Sequence, residues 1–451
     1  METKAKIGDL IKVILDKREE EGTLMPSTRK NCIIIKLDNG YNLGFEKKDI
    51  KKIILLEEKK KIRKISRHVQ DNSELPTISI LHTGGTIASK VDYSSGGVVA
   101  SFTADDFLEM FPEIESMANV RTKLVANMMS EDIRFSHYKQ IANAIVNEIK
   151  AGTQGIIVGH GTDTLAITAA ALAFMFEELP VPVIFVGSQR STDRGSSDAG
   201  MNLICATKFI TSTDFKGVGI CLHGSIDDDN CLILPATKTR KMHTSRRDAF
   251  KAVNDTAIAE IKFPSLDVEF IKKDYSEKDK DKEKIDNKNQ NNKSEINTNN
   301  NCVILKEKLE GKVGLIRTHP NMFKDVFEVF RKHNYKGLIL EGSGIGQAPT
   351  NIAEHVPIYE ELKRFIEEGG VVVLTSQCIY GRVHKEIYTN CRRLAEIGVI
   401  FGEDMLSETA FVKLAWLLGN YSVEDTRKLI VKNLRGEINE RIEPEKNCEE
   451  K

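Results

Sequence analysis

The sequence predicts a two-domain α/β protein built on parallel sheets and preceded by a small N-terminal β-barrel. Three features carry that expectation. Short apolar runs punctuated by turn residues fill the first seventy-odd positions, apolar runs alternating with helical segments begin at Thr77, and polar stretches separate the blocks. The divisions they suggest are 1–72 for the barrel, 73–271 for a first α/β domain, 272–303 for an insertion and 304–440 for a second α/β domain.

In the front block the apolar runs are Ile11 to Leu15, Cys32 to Leu37, Tyr41 to Phe45 and Ile53 to Leu56, and Asp38-Asn39-Gly40 supplies the residues of a tight hairpin between two of them. The basic, polar stretch Lys59 to Glu74 reads as a linker or a short exposed helix. The first α/β block has strand-like runs at Ile78 to Leu81, Ile156 to Val158, Val183 to Val186 and Val218 to Leu222. Strands alternating with helices imply parallel pairing, and in such sheets ligands bind beyond the carboxyl ends of the strands. The segment Lys272 to Asn301 is rich in Lys and Asn and nearly empty of large apolar residues, so it is expected to stay disordered. Strand-like runs resume at Val313 to Ile316, Gly337 to Leu340 and Val371 to Thr375, and a helix containing Ala410 to Leu418 closes the block.

Composition narrows the class of function. With 40% hydrophobic and 29% charged residues in 451, the chain has the balance of a globular protein. It has no apolar stretch long enough to span a bilayer, and METKAKIGDL lacks the apolar core of a signal peptide, so a cytoplasmic location is expected. A net charge of −1 gives no global attraction to nucleic acid. The eight cysteines form no C-x-x-C pair, which points to reduced thiols and no metal site. No G-x-x-x-x-G-K-[ST] occurs, and Gly342-Ser343-Gly344-Ile345-Gly346 lacks the spacing of a dinucleotide fingerprint. No cofactor is therefore expected on this chain.

Chemistry is suggested by three segments. His82-Thr83-Gly84-Gly85-Thr86 follows the first strand of the sheet, where glycines let a ligand approach the backbone and amides can stabilise an oxyanion, although a Gly pair after a strand is often only a turn. His160-Gly161-Thr162-Asp163-Thr164 follows the second strand. Thr162 or Asp163 there could simply cap a helix, and His160 could simply pack. Thr237-Lys238-Thr239 is unremarkable alone. Together, two hydroxyl-bearing loops emerge from what should be one edge of one sheet.

T-G-G-T-I-A, H-G-T-D-T and a T-K-T lysine, in this order, resemble the bacterial-type L-asparaginase and glutaminase family over roughly residues 77 to 435, excluding the insertion. Thr375-Ser376-Gln377-Cys378 and Gly402 to Ala410 resemble its cytoplasmic branch. The resemblance implies an asparaginase-like two-domain fold and a nucleophilic Thr86 that forms an acyl-enzyme with a carboxamide. It also implies an activating set of Thr162, Asp163 and Lys238. Gly85, the loop Ser130-Glu131 and a lid residue, Tyr93, would then contact substrate. Glu131 stands where many secreted members have Gln, and Ile345 replaces an amide of a loop that in relatives approaches a neighbouring subunit.

The front block, with Leu24-Met25-Pro26 and Leu37 to Gly44, resembles the N-terminal extension of the glutaminase subunits of archaeal tRNA-dependent amidotransferases. That resemblance implies glutamine as ammonia donor and a GatE-like partner that holds ATP and Mg²⁺ and handles Glu-tRNA(Gln). It further implies self-dimerisation and a heterotetramer. A free-standing asparaginase, and a scaffold without turnover, are the alternative readings.

Overall fold

The computed structural model describes residues 5–25, 27, 31–38, 41–57, 72–84, 89–91, 98–100, 108, 110–190, 192, 195–272, 294–298 and 301–442. Five antiparallel strands form the front unit: β1 (Leu10–Ile14), β2 (Glu19–Met25), β3 (Cys32–Lys36), β4 (Asn42–Glu46) and β5 (Lys52–Glu57), in the order β4-β3-β2-β1-β5. Alternation along β1 buries Ile11 and Val13 against Ile35, Phe45 and Ile50 in a small core of its own. The expected barrel is thus a five-stranded sheet, since no ladder joins β4 to β5 among the described residues. β3 and β4 form the expected hairpin, whose Asn39 and Gly40 lie outside the described residues, as do 58–71.

The first α/β domain is built on β6 (Thr77–His82), followed by a short pair β7 (Ser89–Val91) and β8 (Val98–Ala100), then β9 (Asn119–Leu124) and β10 (Gly155–Gly159). Next come β11 (Phe176–Glu178), β12 (Pro182–Val186), β13 (Gly217–His223) and β14 (Asn230–Pro235). A second short pair, β15 (Thr239–Lys241) with β16 (Phe250–Ala252), precedes β17 (Ala259–Lys262) and β18 (Val268–Phe270). The main sheet runs β18-β17-β14-β13-β12-β10-β6-β9. Its five strands from β9 to β13 are parallel, and β14, β17 and β18 add an antiparallel wing, so the sheet is mixed where the sequence pattern predicts an all-parallel one.

Central strands of such a sheet are covered on both faces, which is why their sequences read as unbroken apolar runs. In β10, Ile156 and Val158 face one core while Ile157 faces the other. The first core is shared with helices Phe135–Lys150 and Leu165–Met175, the second with helix Ala199–Ser212.

One strand falls within the segment expected to be disordered, and a second begins at its last residue. β19 (Ser294–Thr298) pairs with β20 (Asn301–Leu305), and β20 pairs with β11. The reason lies in Cys302-Val303-Ile304-Leu305, whose alternate residues Val303 and Leu305 enter the main core. Residues 273–293 lie outside the described residues.

The second α/β domain has four parallel strands in chain order, β21 (Val313–Arg317), β22 (Gly337–Gly342), β23 (Val371–Ser376) and β24 (Ile400–Phe401). One of its faces, with Ile339, Val371 and Val373, continues the first domain's core through helix Ser407–Asn420, whose Trp416 stacks on Phe174 at 6.0 Å. The domains therefore share a core. Residues 430–439 then run back as a strap. Glu437 is fully buried against Lys413 at 2.6 Å, Lys413 Nζ also donates to the Ile430 and Lys432 carbonyls, and Arg435 Nε donates to the Ala173 carbonyl at 2.8 Å. No helix among the described residues is long and apolar enough to cross a membrane.

Candidate active site

The site is assembled where β6 and β10 end side by side. Thr83, the first residue past β6, donates through both its amide and its hydroxyl to the Gly159 carbonyl at 3.0 Å, which fixes the T-G-G-T turn to the H-G-T-D-T turn. Gly84 is required there. It has φ +101°, and a Cβ on it would sit 2.6 Å from the Met128 carbonyl oxygen. Gly85, Thr86 and Tyr93 lie outside the described residues.

Ser130 is buried, and its loop is seated on the second turn. A Cβ on Gly161 would lie 2.7 Å from Ser130 Cβ, and Thr164 Oγ1 donates to the Ser130 carbonyl at 2.7 Å. Glu131 is exposed on the short 3₁₀ turn Ser130–Asp132. The structure thus brings Thr162, Asp163 and Ser130 to one edge.

Beneath the turns lie two buried histidines. His82 and His160 are both pushed down to about 4 by burial, so each is neutral at pH 7. The Nδ1 of His160 lies 2.8 Å from the Gly161 carbonyl, while neither ring nitrogen of His82 has a partner among the described residues. His160 matches its packing reading: its ring lies 6.0 Å from that of Phe185.

The lysine beside Thr162 and Asp163 is not the expected one. Lys238 lies apart, fully buried, donating to Asp404 Oδ2 of the second domain at 2.6 Å. Burial pushes its ammonium down, opposed by the carboxylate of Asp404. Lys241 instead reaches the site: its Nζ donates to Thr162 Oγ1 at 2.9 Å and to Asp163 Oδ1 at 2.8 Å. The two lysines sit in different local structure: Lys238 ends the turn 236–238, where its amide donates to the Pro235 carbonyl at 3.2 Å, whereas Lys241 closes the extended strand β15. The sequence holds a signal for this. Lys238 comes two residues after the apolar run Leu232-Ile233-Leu234-Pro235-Ala236, whereas Lys241 lies further along the polar run that follows it.

Chemically, the arrangement offers a hydroxyl, an amine and a carboxylate in one hydrogen-bonded line, at the sheet edge and next to a glycine turn. The amine donates to the hydroxyl, leaving the hydroxyl's own proton free for a second acceptor. This is the constellation needed to move protons during nucleophilic attack on an amide. Among the described residues no group of three or more His, Cys, Asp or Glu could hold a metal ion.

Family models place both large domains in one class of protein. The asparaginase N-terminal model matches residues 77–274, and the glutaminase/asparaginase C-terminal domain matches residues 312–430. Solved structures agree: the thermostable L-asparaginase from Thermococcus kodakarensis is 28% identical with a TM-score of 0.67, over 80% of this chain and 99% of that one. L-asparaginase I from Vibrio cholerae is 26% identical with a TM-score of 0.65, over 81% of this chain and 99% of that one. The α/β part is therefore an asparaginase-type module.

The front unit is more particular, since residues 5–56 match the GatD N-terminal domain. The D subunit of glutamyl-tRNA(Gln) amidotransferase from Methanococcus maripaludis strain C6 is 43% identical over 438 residues, 97% of this chain and 99% of the relative. Its counterpart from Pyrococcus furiosus is 40% identical over 449 residues, 97% and 96% of the two chains. The chain belongs to the family of glutamyl-tRNA(Gln) amidotransferase D subunits.

Proposed function

We propose that this chain is the glutaminase of a two-subunit, tRNA-dependent amidotransferase acting in the cytoplasm. It hydrolyses glutamine and supplies ammonia to a partner that converts Glu-tRNA(Gln) to Gln-tRNA(Gln). The observation that carries the reading is the Lys241 amine held between Thr162 Oγ1 and Asp163 Oδ1 at the edge where the T-G-G-T turn begins. In this proposal Thr86 attacks the side-chain carbonyl of glutamine, the carbonyl oxygen takes the negative charge facing backbone amides of the glycine turn, and ammonia leaves as the acyl-enzyme forms. Water then attacks the ester and releases glutamate and Thr86. Thr162 relays protons, and Lys241 takes the part that the motif resemblance assigns to Lys238, with Asp163 orienting it and meeting the substrate's α-ammonium. Ser130 and Glu131 bind the α-carboxylate and α-amino groups. ATP and Mg²⁺ belong to the GatE-like partner, which also holds most of the tRNA, and the chain pairs with itself through the asparaginase-type domains.

Hydrolysis of glutamine and asparagine by wild type and by Thr86→Ala tests the chemistry. Formation of Gln-tRNA by the chain with its copurified partner tests the role. Turnover of asparagine alone, with no gain from partner and charged tRNA, would return the reading to a free-standing asparaginase.

A further inference from the structure

Lys241 sits at the end of a short hairpin strand whose own ladder is too small to hold it. Strands β15 and β16 have three residues each and form a two-stranded sheet separate from the main one, and an isolated hairpin is at best marginally stable in water. Yet the Lys241 amine, at the end of a flexible four-carbon stem, lies within 2.9 Å of two partners on another loop. Something must fix the backbone beneath it.

Part of that fixation comes from the first domain, since Ala249 and Phe250 enter its core and Thr239 Oγ1 donates to the Pro235 carbonyl at 2.7 Å; the rest comes from the second domain. Lys238 is clamped to Asp404, both side chains being fully buried; Arg240 pairs with Glu408 at 3.2 Å; and Thr409 Oγ1 donates to the Thr237 carbonyl at 2.9 Å. All three partners lie in the G-E-D-M-L-S-E-T-A segment, and all three grips fall on the residues just before Lys241, whose own amine donates to Thr162 and Asp163 instead. Asp404 is held in turn by the Asn439 amide at 3.0 Å and side chain at 3.0 Å. The residue before it, Glu403, has φ +60°, a left-handed conformation that a non-glycine residue keeps only where its surroundings enforce it. A buried ion pair is a poor source of stability, since well-packed apolar residues commonly do as well, but it specifies geometry.

Building on the role proposed for Lys241, we propose that the Lys238–Asp404 pair is a positioning device, through which the second domain sets Lys241 against Thr162 and Asp163. Lys238 and Asp404 touch no substrate; they act through Lys241.

The test is a double-mutant cycle on glutamine hydrolysis by the full chain with its copurified partner. Lys238→Met with Asp404→Asn removes both charges while keeping shape, which avoids the unfolding expected when a single charge is left buried alone. Loss of positioning should lower kcat about tenfold to a hundredfold with KM within about threefold, and leave the melting temperature nearly unchanged. In a Lys241→Ala background the same pair of substitutions should lower kcat by less than about threefold, because its effect runs through Lys241. Wild-type kcat in the Lys238/Asp404 variant, with Lys241→Ala inactive, overturns the positioning role and leaves the proposed function standing. Losses that multiply in the combined variant overturn it as well. Full turnover in Lys241→Ala removes the triad itself and this inference with it.

Discussion

The carboxyl ends of the strands in the two α/β domains present similar residues in different states of hydrogen bonding. In the second domain the polar groups close on one another. Gln377 Nε2 donates to the Thr318 and Glu341 carbonyls at 2.6 and 3.0 Å, and Thr375, Ser407 and Glu341 form a chain with links of 2.9 and 3.0 Å. In the first domain Thr162 and the exposed Asp163 meet only the Lys241 amine through their side chains among the described residues. A self-satisfied edge stabilises, whereas an edge with spare donors and acceptors can work on a ligand. The difference lies in what is left unpaired, since both edges occupy the same place in an α/β sheet.

Breaking the open edge should cost chemistry and spare the fold. Thr86→Ala should abolish glutamine hydrolysis. Thr162→Ala and Lys241→Ala should each lower kcat by about 10² to 10⁴ while changing stability little, as kinetics and urea titrations of the same preparations would show. Lys241→Arg should not restore activity, because a guanidinium cannot give up its proton near neutrality. Folded variants with wild-type kcat would end the distinction between the edges.

Acid should reach the open edge first. His82 and His160 lie under its two turns, and their folded values of about 4 are below the unfolded value of 6.5. Between those limits the unfolded chain binds more protons than the folded one, so stability falls as pH drops from about 6.5 to about 4 and levels off below. The loss is roughly 3 kcal/mol per histidine at most. Urea midpoints measured from pH 7 to pH 5, above the range where carboxylates titrate, would show it; a flat profile there would contradict the burial of both rings.

Breaking the closed edge should do the reverse. Gln377→Ala removes the Gln377 donor from the buried Thr318 carbonyl, while the Glu341 carbonyl keeps the Thr318 amide and hydroxyl, and should cost about 1–3 kcal/mol of stability, with kcat of the folded enzyme retained. The smallest effect is expected from deleting 274–292 and inserting a short Gly-Ser linker, which should shift the melting temperature little. Extending that deletion through Leu305 should be clearly destabilising, because Val303 and Leu305 each contribute about 1.5–3 kcal/mol of burial.

Much of the fold is legible in the sequence because it depends on local pattern. The apolar runs at Ile78, Ile156, Val183 and Val218 each form a buried strand, since continuous apolar character is what a doubly covered strand needs. The turns carrying Thr83 and Thr162 are marked by their glycines and hydroxyls. The antiparallel wing is not legible in the same way: β14 is an apolar run like its neighbours, and pairing direction is a tertiary choice. β20 escapes a composition average over Lys272 to Asn301, which hides the alternation that starts at its end. The choice between Lys238 and Lys241 is invisible to a residue count, because it depends on where the turn 236–238 gives way to strand β15 and on which lysine then meets a loop 78 residues earlier in the chain.

The strap at 430–439 also orders events in time. Thr237 Oγ1 donates to the Arg435 carbonyl across 198 residues of sequence, next to the lysine that is clamped to Asp404. A ribosome working at about 5–20 residues per second needs about 10–40 s to pass from one to the other. Once β18 has been made, early in that interval, the main sheet of the first domain has all its strands, but the hairpin that carries Lys241 still lacks its contacts to the second domain and the strap. A nascent chain still attached to the ribosome should therefore be silent as an amidase, and ammonia release should begin only once the strap has closed and the protein is free to assemble.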